Sequence, residues 1–538
     1  MSHLLCHLPL EAALRTPDAV ALRTRTEQVP YAVLAQLIQR VAQGLCGLGL
    51  QKQDRVAIYL PKRVETVATC FGTSLAGGVF VPVNPLLKAP QVGHILRDSG
   101  ATVLLTSADR LADLSHEVSQ ASSIRHIVIV GADQRPDRLA GAIESLLWQD
   151  LLDGAAGRTH RVIDRDIVSI LYTSGSTGRP KGVVLSHGNM VTGARSVAEY
   201  LENRPDDRLL AVLPFSFDYG FSQLTTAFLV GASVTLIDHL FAKDVISAVE
   251  RDRITGLAAV PPLWIQLADL AWPRGITEHL RYITNSGGRM PRATLEKLRA
   301  ALPATRPFLM YGLTEAFRGT YLPPDQLDRR PDSIGQAIPN AEILVVRPDG
   351  SPCAPNEPGE LVQRGSLVAL GYWNDPAKTA ERFKPAPGQQ SELPLTEMAV
   401  WSGDTVRMDD DGFLYFVGRR DEMIKSSGYR ISPTEVEEVV YASGKVSDAV
   451  AVGAPHPALG EAIVLVAAPP PRENPAAAAA WDPTLATAAL LDHCRAQMPG
   501  YMVPSQIEWL DALPRNPNGK FDRPAIAAQY RSVFEGMA

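Results

Sequence analysis

Ile167–His187 reads IVSILYTSGSTGRPKGVVLSH. An apolar run gives way to glycine, hydroxyl and lysine residues, and then a second apolar run begins. Between Thr173 and Gly182 lie three glycines, four hydroxyl residues and Lys181. Glycine lets backbone N–H groups turn together toward an anion, while hydroxyls and a lysine add donors and charge. The segment therefore reads as a strand that opens into a phosphate cradle. It is not a Walker loop, because Gly175 is not followed by four residues and then Gly-Lys-Ser/Thr.

Working outward, Arg55–Leu60, Val79–Val83, Thr102–Thr106, Ile127–Val130 and Ser233–Ile237 are further short runs rich in β-branched residues. Helical patterns such as Tyr31–Leu48 and Val64–Ser74 separate them. Repeated strand–helix alternation predicts α/β layering with parallel sheets. After about residue 340 the texture changes. Ala341–Val346, Gly359–Gln363 and Gly412–Val417 are short strands divided by Pro, Gly and Asp turns. They predict a small, mostly antiparallel unit. The polar stretch Gly418–Gly428 reads as a linker. Thr434–Ala442, Ala449–Val452 and Ile463–Ala467 then predict a compact α+β domain, with Pro469–Pro483 as a surface loop inside it.

Composition excludes several function classes. The chain has 538 residues, 52 Lys plus Arg against 58 Asp plus Glu, and a formal charge of −6. That balance lacks the basic footprint of a nucleic-acid binder. The five cysteines are scattered, with no CxxC or Cys/His cluster, so neither a disulfide framework nor a structural zinc site is expected. The start lacks the basic leader of a signal peptide, and the most apolar long window, residues 211–237, is broken by Pro214 and Asp218. The expectation is a soluble cytoplasmic protein that neither spans a membrane nor binds nucleic acid.

Six further motifs follow the loop in order: Ser286–Gly288 (SGG), Tyr311–Glu315 (YGLTE), Ser402–Asp404 (SGD), Gly418–Arg419 (GR), Gly428–Pro433 (GYRISP) and Asn518–Lys520 (NGK). With YTSGSTGRPKG they resemble the signature set of the adenylate-forming superfamily of acyl- and aryl-CoA synthetases, nonribosomal-peptide adenylation domains and luciferases. The resemblance implies a large N-terminal domain of two β-sheets with flanking helices and a small β-barrel-like subdomain. A small mobile α+β domain would follow. It implies a body over 1–420, with its β subdomain at about 340–420, and a mobile cap over 421–538. It implies ATP and Mg²⁺ as cofactors. Thr173, Ser174, Gly175, Ser176, Thr177, Gly178 and Lys181 would hold the phosphates. Tyr311 and Gly312 would face adenine, walled by Gly287, Gly288 and Arg289. Thr314 would meet the α-phosphate and Glu315 the metal, a carboxylate being a hard oxygen ligand for Mg²⁺. Asp404 would accept from the ribose, assisted by Arg419. Lys520 resembles the family's catalytic lysine. Asp421 falls at its hinge, and Gly428, Tyr429 and Arg430 fall in the loop that serves thioester formation.

Leu213–Gly220, LPFSFDYG, takes the place of the acid pocket, with Phe217, Asp218, Tyr219 and Gly220 as its candidate residues. The Phe-Asp pair resembles amino-acid-activating members. A carboxylate in an apolar pocket is costly unless paired, and a substrate ammonium would pair it. Fatty-acyl-AMP ligases also carry an aspartate near this point, and a local capping role for Asp218 stays open. The run from Tyr311 to Glu342 resembles acyl-CoA ligase-like proteins associated with bacterial exosortase gene clusters, whose members are encoded near a small acyl carrier protein. The functions this implies are two: activation of a carboxylic acid, amino acids included, with delivery to a phosphopantetheine thiol of a carrier protein; or an acyl-CoA synthetase that uses a fatty or aryl acid and free CoA. A non-catalytic nucleotide-binding scaffold is the third reading. Its mark would be loss of Lys520, Glu315 or Asp404, and all three are present. A kinase is excluded, because the Gly-rich loop lacks its paired catalytic Asp/Asn set.

Overall fold

The computed structural model describes residues 3–134, 143–173, 180–389, 392, 394–419, 422–426, 429–457, 459–470 and 481–535. Among these the chain forms a large α/β body of two sheets and a smaller α+β unit.

The first body sheet has seven strands, in the order Glu144–Leu147, His126–Ile129, Val103–Thr106, Arg55–Tyr59, Val79–Pro82, Ile167–Thr173 and Lys181–Ser186. Its strands pair in parallel except for the last two, which form the hairpin on either side of the Gly-rich loop. Most of its strand residues are apolar and covered on both faces. That is why they read as continuous runs rather than alternating ones.

The second sheet is parallel from Val20–Arg23 through Ser233–Leu236, Arg208–Ala211, Gly256–Ala259, Tyr282–Asn285 and Arg306–Tyr311. It then turns antiparallel through Thr320–Leu322 and Ser333–Ala337 into Leu414–Arg419, Met398–Met408, Gly359–Gly365 and Ala341–Val346. The small antiparallel unit is therefore joined to the body edge to edge. One apolar core runs beneath both sheets, from Leu5 through Phe71, Phe221 and Trp264 to Phe413.

In the smaller unit, Asp448–His456 and Gly460–Ala468 form a long antiparallel pair, joined by Ile424–Ser426, Tyr429–Ile431 and Gln506–Trp509. Both faces of that pair are apolar, in the alternation a strand dictates. Ala449, Ala451, Ile463 and Leu465 pack under the helices Pro433–Ala442 and Pro483–Gln497. Val450, Val452, Val464 and Val466 pack against Leu513, Ile526 and Phe534 on the other side. The sequence reading of Gly418–Gly428 as a linker needs correction. Residues 414–419 and 424–426 are strands of two different sheets, and Ile424 is buried in the smaller unit's core. The polar residues around Ile424 concealed it. Asp421 and Gly428, the expected hinge and the start of the thioester loop, lie outside the described residues. So do most of the expected surface loop (471–480) and the phosphate-loop residues Ser174, Gly175, Ser176, Thr177 and Gly178.

Candidate active site

The parallel strands of the second sheet deliver most candidate residues at their carboxyl ends, where open α/β sheets place ligands. Phe217 and Asp218 follow Arg208–Ala211; Gly287 and Gly288 follow Tyr282–Asn285; Gly312, Thr314 and Glu315 follow Arg306–Tyr311. Gly287 has φ +83, a left-handed turn that glycine makes without strain. Close approach matters there too: a Cβ on Gly287 would lie 2.5 Å from Lys520 Cε.

Lys520 comes from the smaller unit. Its loop is a tight turn in which Asn516 Oδ1 accepts from the backbone N–H of Asn518 and Lys520, and Asn516 N–H donates to Lys520 O at 2.7 Å. Asn84 of the body clamps this turn: its Nδ2 donates to Pro517 O at 2.7 Å and to Asn518 Oδ1 at 3.2 Å. The ammonium then sits 4.7 Å from the centre of the Phe217 ring. A lysine is thus brought from about 300 residues away to the side of Phe217, where the acid pocket is expected.

Where adenine and ribose are expected, Tyr311 Oη donates to Asp404 Oδ2 at 2.5 Å, and Asp404 pairs with Arg419 in the strand register. Ser402 Oγ steadies the turn by accepting from Asp404 N–H at 3.0 Å. Where the phosphates are expected, Thr173 and Lys181 are cross-strand partners at the open end of the first sheet's hairpin. Lys181 Nζ lies 5.8 Å over the ring of Tyr372, whose hydroxyl donates to Glu315 Oε1 at 2.6 Å. Burial and the Glu315 carboxylate push the Tyr372 hydroxyl pKa far up, so it stays a donor. Sequence reasoning missed Tyr372 and Asn84. Neither stands in a Gly-rich or charged pattern, and only the fold carries them to the site.

Arg289 is placed differently from the expected adenine wall. Its guanidinium turns to Asp332 at 2.6 Å and to Glu438 of the helix Pro433–Ala442 at 3.4 Å. Arg292 N–H donates to the same Glu438. This arginine therefore ties the body to the smaller unit.

Asp218 also requires a correction. It is almost wholly buried, and the cation that pairs it is internal: Arg318 Nη1 donates to Oδ2 at 3.1 Å, while Thr314 Oγ1 donates to Oδ1 at 3.0 Å. A substrate ammonium is not required to make its burial tolerable. Arg318 was invisible as a site residue because nothing in EAFRGT marks its arginine as buried. Tyr219 lies beneath the guanidinium, 4.4 Å from ring centre to Cζ, and its hydroxyl is hydrogen-bonded to Thr284 Oγ1. Gly220 is packed close under Pro214 O, where a Cβ would clash at 2.1 Å.

The donor set suits ATP and Mg²⁺. No group of three or more His, Cys, Asp or Glu side chains gathers as a metal cage among the described residues. A lone carboxylate, Glu315, fits an Mg²⁺ that takes its other ligands from phosphates and water. The Tyr311–Asp404 pair offers an aromatic face and an acceptor side by side.

An α/β body with a phosphate-loop hairpin, completed by a lysine from a small α+β unit, is the architecture of the adenylate-forming class. The chain matches the AMP-binding enzyme family over residues 10–373 and the AMP-binding enzyme C-terminal domain over residues 435–520, and it belongs to that family. It is 31% identical to an L-proline–[L-prolyl-carrier protein] ligase of Pseudomonas fluorescens, across 97% of this chain and 98% of the relative. It is 30% identical to a feruloyl-CoA synthase of an Amycolatopsis species, across 97% and 98%. It is also 31% identical to part of a linear gramicidin synthase of Brevibacillus parabrevis, and there the chain spans only 10% of the relative's length. Among solved structures, an anthranilate CoA ligase in complex with anthranoyl-AMP superposes with a TM-score of 0.86 at 24% identity, covering 99% of this chain and 98% of that one. The o-succinylbenzoate CoA synthetase of Bacillus subtilis, in complex with its acyl-adenylate, gives 0.79 at 27%, covering 96% and 97%. No described helix is long and apolar enough to cross a membrane.

Proposed function

We propose that the chain is an ATP-dependent acid–thiol ligase. In the first step a substrate carboxylate oxygen attacks the α-phosphorus of ATP, the bond to the β-phosphate oxygen breaks, and acyl-AMP and pyrophosphate result. In the second step a thiol attacks the acyl carbon and AMP leaves. The observation that carries this reading is Lys520, clamped by Asn84 and held beside Phe217 and Gly287. Its charge lies where the acid carboxylate must approach, and offsets the negative charge that gathers on the reacting oxygens. Thr314 Oγ1 gives its one proton to Asp218 here, and to donate to an α-phosphate oxygen it would turn from that carboxylate. Thr173 and Lys181 stand at the mouth of the loop that would take the remaining phosphates. Bound at Glu315, Mg²⁺ would neutralise phosphate charge, and Tyr372 holds that carboxylate in place.

The acceptor in this reading is the phosphopantetheine thiol of a carrier protein, as named for the prolyl-carrier protein ligase. The feruloyl-CoA synthase, at 30% against 31% identity, favours free CoA as a second reading. For either acceptor, the smaller unit would turn about Asp421 after adenylation, so that the segment Gly428–Ile431 replaces Lys520 at the site, a hinge motion of a known kind. The test is acid-dependent ATP–pyrophosphate exchange over a broad acid panel, followed by thiol capture on CoA and on phosphopantetheinylated carrier protein. Exchange stimulated by at least one acid is expected. Its absence across the panel overturns the reading.

A further inference from the structure

Asn84 lies just beyond the strand Val79–Pro82 and is only 5% exposed. Its own loop fixes the side chain. Oδ1 accepts from Leu86 N–H at 2.9 Å, the Asx turn that asparagine favours. The loop is braced in turn. Arg110 Nη1 donates to Pro85 O at 2.9 Å and lies over the ring of Tyr59, whose hydroxyl donates to Leu87 O at 2.8 Å. With its oxygen held by Leu86, the amide presents its NH2 group outward. The two ends are not interchangeable, because Leu86 N–H needs an acceptor and Pro517 O needs a donor.

The outward donors cross to the smaller unit, reaching Pro517 O at 2.7 Å and Asn518 Oδ1 at 3.2 Å. From there a relay leads to Lys520. Asn516 Oδ1 accepts from Asn518 N–H at 3.0 Å and from Lys520 N–H at 3.1 Å, and Gly519 closes the turn at φ +81. On its other side the turn rests against the second sheet: a Cβ on Gly519 would lie 3.7 Å from Val260, and Gly287 and Phe217 flank the lysine side chain. Those are packing contacts, which limit distance but not direction. The Asn84 hydrogen bonds are directional, and they fix where the ammonium stands against the strand ends. Arg289 on Glu438 is another tie between the units, but that ion pair is partly exposed. Breaking a hydrogen bond to a buried polar group costs more than losing an exposed ion pair.

We propose that Asn84 is a positioning residue for adenylation: its amide latches the Lys520 turn to the body, and so sets the balance between the arrangement that forms acyl-adenylate and the one that transfers it. This rests on the ligase reading. Asn84 acts on the reaction through Lys520. When the smaller unit turns for the thiol step, Pro517 and Asn518 leave with it and the amide gives up both partners. The latch therefore stabilises one arrangement only.

The experiment measures the two half-reactions separately on the full chain. One is ATP–pyrophosphate exchange with an acid that stimulates it, and the other is thioester formation from the preformed acyl-adenylate of that acid. Asn84→Asp is the discriminating variant. A carboxylate still accepts from Leu86 N–H but has no proton for Pro517 O, so the loop is kept and the latch is lost. Exchange should fall roughly 10- to 100-fold, the size of a buried hydrogen bond replaced by two facing acceptors. Transfer from preformed adenylate should be unchanged or faster. Asn84→Ala should show the same split, with thermal unfolding of both variants to check the fold. In a Lys520→Ala background either substitution should cost less than about 3-fold more, because a residue that acts through Lys520 has nothing left to position. Undiminished exchange in the Asn84 variants, equal losses in the two half-reactions, or full additivity with Lys520→Ala overturns the proposal and leaves the ligase intact. Silence of the parent chain with every acid of the wider panel takes down the ligase reading and this one with it.

Discussion

At the scale of single residues, the site is built from side chains whose neighbours give each a defined job. Lys520 contributes a point charge held by an Asn-rich turn and set over Phe217. Lys520→Ala should therefore lower pyrophosphate exchange by about 10²–10³-fold, in line with loss of one transition-state donor. Thioester formation from preformed acyl-adenylate should be nearly unaffected, and equal losses in the two half-reactions would remove Lys520 from the adenylation step. Tyr372 acts through Glu315. Tyr372→Phe deletes the 2.6 Å bond without changing the ring under Lys181. The half-saturating Mg²⁺ concentration for exchange should rise by about 10-fold, the usual size of an outer-shell effect on a metal ligand. An unchanged Mg²⁺ dependence, with a lower melting temperature instead, would make the tyrosine purely structural.

At the scale of elements, the Gly-rich segment ends by starting a helix, and that junction carries a pH dependence. Ser186 caps His187–Tyr200: its Oγ accepts from Asn189 N–H, and Asn189 Nδ2 donates to Ser366 O and Val368 O. The first helical residue, His187, is buried, and its Nδ1 accepts from Leu5 N–H at 3.1 Å. Burial lowers its pKa from 6.5 to about 4, although Asp166 and Asp164 oppose the shift. The folded chain keeps the imidazole neutral while the unfolded chain protonates it below pH 6.5. Stability from this group is thus complete above pH 6.5 and falls as pH drops toward 4, by at most ~3 kcal/mol. In thermal unfolding, His187→Gln should flatten the decline between pH 6.5 and 4 relative to the parent chain. A parallel decline in both would show that other groups set it.

At the scale of the whole molecule, the contacts between the two units include Asn84 with the Lys520 turn, Lys520 with Phe217, and Arg289 and Arg292 with Glu438. The Arg289–Glu438 ion pair is partly exposed and worth ~1 kcal/mol or less, which suits a contact that the proposed turn of the smaller unit would release. Glu438→Lys reverses the charge facing Arg289 and should slow adenylation several-fold, while transfer to the thiol is unchanged or faster. Asp421→Pro, at the proposed hinge, should do the opposite and slow transfer while adenylate still forms. Single-turnover measurement of each half-reaction checks both. Two variants that slow the same step would argue against two working arrangements.

Much of this was legible in the chain order. The strand-loop-strand of Ile167–Ser186, the parallel alternation and the α+β end follow from runs of apolar residues and from glycines that only turns require, and those are local properties. The proposed site was legible where a residue type suggests its chemistry in a local motif, as with Lys181, Glu315, Asp404 and Lys520. It was not legible where a side chain's role depends on what lies opposite. Asn84 and Tyr372 are ordinary in sequence. Ile424 hid in a polar stretch. Arg289 stood in the nucleotide motif but turned to Glu438. Asp218 looked like a carboxylate in want of a cation until the second sheet brought Arg318, 100 residues away, against it. Sequence determined the elements, because backbone propensity and apolar periodicity act over a few residues. Tertiary structure alone decided which charges are paired, because burial and distance belong to no single segment of the chain.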